Sequence, residues 1–232
     1  MNKSRVEAFS DGVFAIAITL LVLTIAQPAR HDFLNLSHVF AHRWPSLAAY
    51  VVSFATIGIM WLNHHSVFSN FERVDRGIVY LNMLLLLTIT FLPYPTGVLG
   101  QALALHQGTR TAAVLYAVTM AVNACAWDAL WLYGFSRPHL LRASFPPGER
   151  QLATLLFTGG VVVYLLAIGV AVWNAYAFLA VQGGLAVYYA IDPLSRRPGR
   201  PGRPGRGGRS GRGEAVASGG VAAGAGNESE RP

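Results

Sequence analysis

The chain has 232 residues, of which 53% are hydrophobic and only 12% charged, with a net charge of +7. An ordinary soluble domain carries about 25% charged residues, so the composition excludes a soluble enzyme and a mostly disordered chain. The single cysteine, Cys125, excludes an internal disulfide framework and is expected to pack as a core thiol in its apolar run.

The first apolar run, residues 8–27, is long enough to cross a bilayer, which takes about 20 residues. Ser10 and Asp11 inside it argue against a cleaved leader, so the segment reads as a retained helix. Further spans are expected over 46–69, 78–101, 109–134, 152–173 and 174–191. Pro45 suits the first turn of the second span. Pro93 and Pro95 should bend or end the third. A tight turn at Trp173-Asn174 joins the last two. Six spans are expected, five being the competing count with the last two taken as one broken element. The fold class is therefore all-α, with a six-helix transmembrane domain over 1–193 and a disordered tail over 194–232.

An even number of spans puts both termini on one side. With cytoplasmic termini, seven basic residues before the tail lie inside (Lys3, Arg5, Arg73, Arg76, Arg137, Arg142, Arg150) against three outside (Arg30, Arg43, Arg110). The excess of positive charge marks the cytoplasmic side, and the expected location is a multi-pass protein of the cell membrane. The tail repeats Pro-Gly-Arg and can form no core. It is either a solvated extension or an electrostatic contact with the anionic leaflet. It lacks the interleaved aromatics of a nucleic-acid binder, so no specific nucleic acid is expected.

Ionisable groups at membrane depth are costly and tend to be functional. Here they are Asp11, His64, His65 and Asp128, with buried amides at Asn63, Asn82 and Asn123. Given the alternating span directions, Asp11, His64, His65 and Asn82 share one level near the cytoplasmic side. The simplest account is a hydrogen-bonded clamp holding the first three spans together, with Arg5, Ser10 and Trp61 in reach. A His-His-Asp metal site is the sharper alternative. Adjacent histidines diverge by about 100° on a helix and face one ion poorly, so no metal and no cofactor is expected. Proton sensing by His64 or His65 is a further reading. On the first span, Phe9, Leu20 and Leu23 fall within about 40° of Ile16, with Thr19 beside them and Ser10 and Asp11 on the far side. That apolar row can face lipid, a sister helix or a pore axis.

The run Arg5-Val6-Glu7-Ala8-Phe9-Ser10-Asp11 resembles the R-x-x-x-F-S-D signature of the potassium channels related to transmembrane protein 175, in their single-repeat prokaryotic form. Gly12 to Thr19, Trp61-Leu62-Asn63-His64-His65 and Asn82 carry the likeness onward, over about residues 5–95. The resemblance implies six helices per subunit, a homotetramer in the lipid bilayer, and first helices lining a pore for potassium ions. Carried onto this chain, Ile16, Leu20 and Leu23 form the apolar constriction and Thr19 adds a hydroxyl. Arg5, Phe9, Ser10, Asp11, Trp61, His64, His65 and Asn82 belong to the intrasubunit network. An apolar ring gates by dewetting, and selectivity follows the smaller cost of stripping water from potassium. The alternatives are a secondary transporter of a small solute, or a membrane-embedded metal or cofactor protein using His64, His65 and Asp128.

Overall fold

Asn2 opens the first helix, its side-chain oxygen accepting the Ser4 amide at 3.1 Å and so satisfying one of the free N–H groups of the first turn. This helix, α1 (Lys3–Leu20), tightens into a 3-10 turn over Leu21–Thr24. It starts earlier and stops sooner than the apolar run suggests. Asn2 caps it ahead of the run, and Pro28 biases Gln27 away from helix. The structure is a computed structural model and describes residues 2–141 and 147–190. The tail 194–232 and Arg142 lie outside the described residues.

A second 3-10 turn, Arg30–Asn35, leads to a short helix, α2 (Leu36–His42), which the apolar pattern does not foreshadow. Then comes α3 (Trp44–Ser69), with Pro45 in its first turn as expected. The third apolar run is two helices, α4 (Arg76–Phe91) and α5 (Pro93–Leu105), meeting at Leu92. Pro93 and Pro95 lack the N–H groups that would continue the ladder. The chain recovers by bonding the Leu92 amide to the Ile89 carbonyl at 3.1 Å and the Thr96 amide to the Leu92 carbonyl at 3.2 Å. There follow α6 (Thr109–Phe135), α7 (Pro147–Trp173) and α8 (Ala175–Ala190). Asn174 makes the turn between the last two, its Oδ1 accepting the amides of Tyr176 and Ala177 at 2.9 Å each.

Among the described residues, four helical stretches are long and apolar enough to cross a membrane: Lys3–Thr24, Trp44–Ser69, Arg76–Leu105 and Thr109–Phe135. The apolar stretches Thr158–Trp173 and Ala175–Tyr188 are shorter. The protein is a multi-pass, all-helical membrane protein. α6 is its central post, packed on α4, α5, α7 and α8, whereas α1 lies at the side against α3 and α4. Cys125 corrects an expectation. It is exposed on the same face of α6 as Val118, Val122 and Leu132. Apolar surroundings in sequence do not separate a core position from one that faces outward in a membrane protein, because lipid and core are equally apolar.

At the end carrying the helix α3–α4 connection, the chain is tied to the stretch after α6. Phe71 and Leu141 form an isolated antiparallel bridge, and the Glu72 amide donates to the Leu140 carbonyl at 2.8 Å. Asp75 caps α4 by accepting the Ile78 amide at 2.8 Å and also accepts from the Tyr133 hydroxyl and Arg137. Partial burial works to raise this carboxyl. The donated hydrogen bonds and the Arg137 charge outweigh that and hold it below the usual carboxylate value. Lys3 reaches the same corner, donating to the Phe71 carbonyl at 2.9 Å.

Gly134 allows this corner to close. A Cβ there would sit 2.3 Å from the tip of the fully buried Phe71 ring. Gly134→Ala is therefore expected to destabilise the protein by about 1–3 kcal/mol, the usual cost of overpacking. The reading is a lower thermal midpoint in detergent, and an unchanged midpoint would mean that Phe71 moves freely.

Candidate functional site

The site is built on α1, and its two faces differ in chemistry. Val6, Ser10, Phe14, Ala17 and Leu21 recur at helical spacing and are buried against the rest of the protomer. On the other side Ile16 is 58%, Leu20 42% and Leu23 75% exposed, and Phe9 and Thr19 are exposed with them. The 3-10 turn matters for Leu23. In a 3-10 segment residues three apart eclipse, so Leu23 stacks along the same line as Leu20 instead of drifting round the helix. The Thr19 hydroxyl donates to the Ile16 carbonyl at 2.9 Å. Its hydrogen is thereby committed inward, and its oxygen lone pairs are left for a partner on the exposed side.

The residues expected to form a single clamp are arranged as two contacts. The first is buried. Ser10 donates to the Val6 carbonyl at 2.9 Å, Asn82 donates to the Ser10 hydroxyl at 2.9 Å, and the Asn82 carbonyl oxygen lies 2.8 Å from Nε2 of His64. Since Ser10 spends its proton on Val6, it must accept from the amide of Asn82. The amide therefore turns its oxygen to His64, which donates from Nε2. One run of donors thus ties α1, α4 and α3 together. Around it, His64 stacks on Phe68 at 4.3 Å and meets Phe14 edge-on at 5.4 Å.

The second contact lies at the surface of the protomer, where Trp61 donates from Nε1 to Asp11 at 2.8 Å. Asp11 does not turn inward beside Ser10. Consecutive helical residues diverge by about 100°, and on α1, buried along the single row of Val6, Ser10, Phe14 and Ala17, Ser10 enters the core and Asp11 does not. Arg5, Phe9 and His65 are exposed, and among the described residues neither Arg5 nor His65 joins the hydrogen-bonded run. His64, His65 and Asp128 are not brought together as a ligand set, since no group of three metal-ligating side chains forms among the described residues. Asp128 accepts from Thr158 of α7 at 3.1 Å.

Two further buried polar contacts escaped the sequence reading. Thr96 donates to Ser53, which shares a hydrogen bond with the Tyr116 hydroxyl, both at 2.8 Å, joining α5, α3 and α6. Asn123 donates to Thr88 at 2.7 Å, joining α6 to α4. Asn123 was expected to be a buried amide and is one, but its partner was not foreseen, since single hydroxyls carry no charge and leave little trace in a search for ionisable groups. For the other contact Thr96, one residue after Pro95, was the available signal, because a proline break exposes backbone near which a hydroxyl helps.

A family model described as endosomal/lysosomal potassium channel TMEM175 matches residues 5–93. That stretch contains the exposed row on α1 and both polar contacts to it. A potassium channel of Streptomyces collinus is 44% identical over 193 residues, covering 83% of this chain and 94% of the relative. A potassium channel of Chamaesiphon minutus is 38% identical over 192 residues, covering 82% of this chain and 94% of the relative. The fold is similar to the crystal structure of a lysosomal potassium-selective channel TMEM175 homologue from Chamaesiphon minutus, with a TM-score of 0.73 and 37% identity over 82% of this chain and 96% of that one.

Proposed function

The chain belongs to the TMEM175 family of potassium channels, and from that premise we propose that four copies assemble around a pore lined by their α1 helices. It is a potassium-permeable channel and not an enzyme; ions pass down their gradient and no bond is made or broken. In this reading each subunit contributes six spans, the shorter apolar stretches at α7 and α8 supplying the last two. Both termini face the cytoplasm of a cell-membrane protein, by the seven-to-three excess of basic residues. The arginine-rich sequence 194–232 then belongs to the cytoplasmic side, as either a solvated extension or an electrostatic contact with anionic lipid, worth about 1 kcal/mol for each arginine near the surface.

The observation that carries the pore assignment is the exposure of Ile16, Leu20 and Leu23 on a helix whose other side is held to α4 by the Asn82 donation to Ser10. Four such rows around an axis make rings of branched side chains that exclude water when narrow, which is hydrophobic gating. Backbone carbonyls are spent within the helix and cannot coordinate the ion. The Thr19 oxygens are the nearest lone pairs to the rings. Ion preference in such a pore rests on how readily each cation gives up water, which favours potassium over sodium.

The test is the reversal potential of purified protein in a planar bilayer under opposed potassium and sodium gradients. The expected value lies toward the potassium equilibrium potential. A reversal at zero, or saturable coupled uptake, would replace the channel reading with a non-selective pore or a transporter.

A further inference from the structure

The helix α2 lies in the connection between α1 and α3, outside the four candidate spans. This connection is held as a folded unit. Arg43, just past α2, donates to Asp32 at 2.9 Å and to the Ala26 carbonyl at 2.8 Å, and Asp32 in turn accepts the Ala29 amide at 2.8 Å. On α2 itself His38 and His42 are four residues apart, so one helical turn sets them one above the other. Their ring centroids are 4.3 Å apart with planes at 28°, and both residues are exposed. Neither ring is engaged in a hydrogen bond or ion pair among the described residues, so their nitrogen lone pairs are free.

Two imidazoles four residues apart on one helix face are the pair that helical zinc sites use. Zinc–nitrogen bonds of about 2.0–2.1 Å at a tetrahedral ion put the two nitrogens about 3.3 Å apart. In the stack the in-plane lone pairs run nearly parallel, so binding requires the two rings to turn out of it about their side-chain bonds until one nitrogen of each points at the ion. No third histidine, cysteine or carboxylate gathers with them among the described residues, so water would complete the coordination shell. A shell half made of water is exchangeable, unlike the closed shell of a structural zinc site.

We propose that His38 and His42 form a surface site for a first-row divalent cation that favours imidazole, namely zinc, nickel or copper(II). Magnesium and calcium, which prefer oxygen ligands, are excluded from it. The site is separate from the permeation path on α1. It sits on the connection between the end of that path and α3.

The test uses the full chain without a histidine tag, in detergent at about pH 7.5. Zinc is titrated calorimetrically, and copper(II) is examined by electron paramagnetic resonance. The expected result is one ion per chain, two equatorial nitrogens on copper, and no competition from magnesium. His38→Ala and His42→Ala each weaken binding at least about tenfold, the loss of one of two chelating ligands. His106→Ala and His139→Ala leave it unchanged. His42→Cys restores zinc binding, because thiolate replaces imidazole as a zinc ligand. Because both rings are exposed, the metal-free variants should elute as the parent does, which separates lost ligation from lost folding. Undiminished binding in the His38→Ala/His42→Ala double variant, or a copper spectrum with a single nitrogen, would overturn the proposal.

Discussion

Replacing Ile16 by asparagine is expected to raise potassium leak at least about tenfold, equivalent to about 1.4 kcal/mol off the barrier to permeation, and to narrow the preference over sodium. In the proposed tetramer the substitution places four amides where four branched apolar side chains met. A ring of that kind blocks ions chiefly by refusing water, since an ion entering a dry constriction loses its hydration shell with nothing to replace it. Amides hold water in the gap, and a hydrated path distinguishes the two cations less sharply. Leu20→Asn should act in the same direction. Val118→Asn, on the exposed face of α6, serves as the control, because it adds the same amide to a surface away from α1. Potassium and sodium fluxes in liposomes provide the measurement. If Ile16→Asn and the Val118→Asn control behave alike, Ile16 faces lipid and the pore assignment fails.

The second large effect is on stability. Asn82→Leu is expected to lower stability by about 2–4 kcal/mol, because it removes the acceptor of His64 and the donor to Ser10 at once. The magnitude comes from the asymmetry between making and breaking such bonds. Interhelical hydrogen bonds in membrane proteins contribute on average only about 0.6 kcal/mol each. A buried group left without its partner costs about 1–3 kcal/mol. The buried histidine bears the larger share, since Ser10 keeps its own bond to the Val6 carbonyl at 2.9 Å. Ser10→Ala should therefore cost less than Asn82→Leu, leaving only one amide hydrogen orphaned. Thermal unfolding in detergent, followed by tryptophan fluorescence, ranks the two. Equal midpoints for both variants and the parent would mean that water enters the contact and replaces the lost partners.

The break at Leu92 was legible in the sequence because proline acts through its own covalent geometry, whatever surrounds it. The turn at Trp173-Asn174 was also legible, whereas the capping of the following helix by the Asn174 side chain emerged from the structure. Sidedness within a helix was harder to read. The wheel placed Ser10 and Asp11 on the same half of α1, yet tertiary packing takes Ser10 into the core and leaves Asp11 to meet Trp61 at the surface. Cys125 shows the same limit. In a membrane protein the lipid-facing and core-facing sides of a helix are both apolar, so hydropathy does not tell them apart. The helix α2 left no readable signal, being a little under two turns long and mixed in polarity. The tightening of α1 after Leu20 left no signal in the sequence, although a constant angular step already put Leu23 in the row with Ile16 and Leu20.

The junction at Leu92 divides the third apolar run into two rods with separate anchorages. Below it Asn82 bolts one rod to α1 and α3, and beyond it Thr96 bolts the other to Ser53 and through it to Tyr116. A lever fastened on both sides of an elbow flexes only at the elbow. Leu92, wholly enclosed by its neighbours, is where the two halves of the bundle would have to part company if one were to tilt without the other.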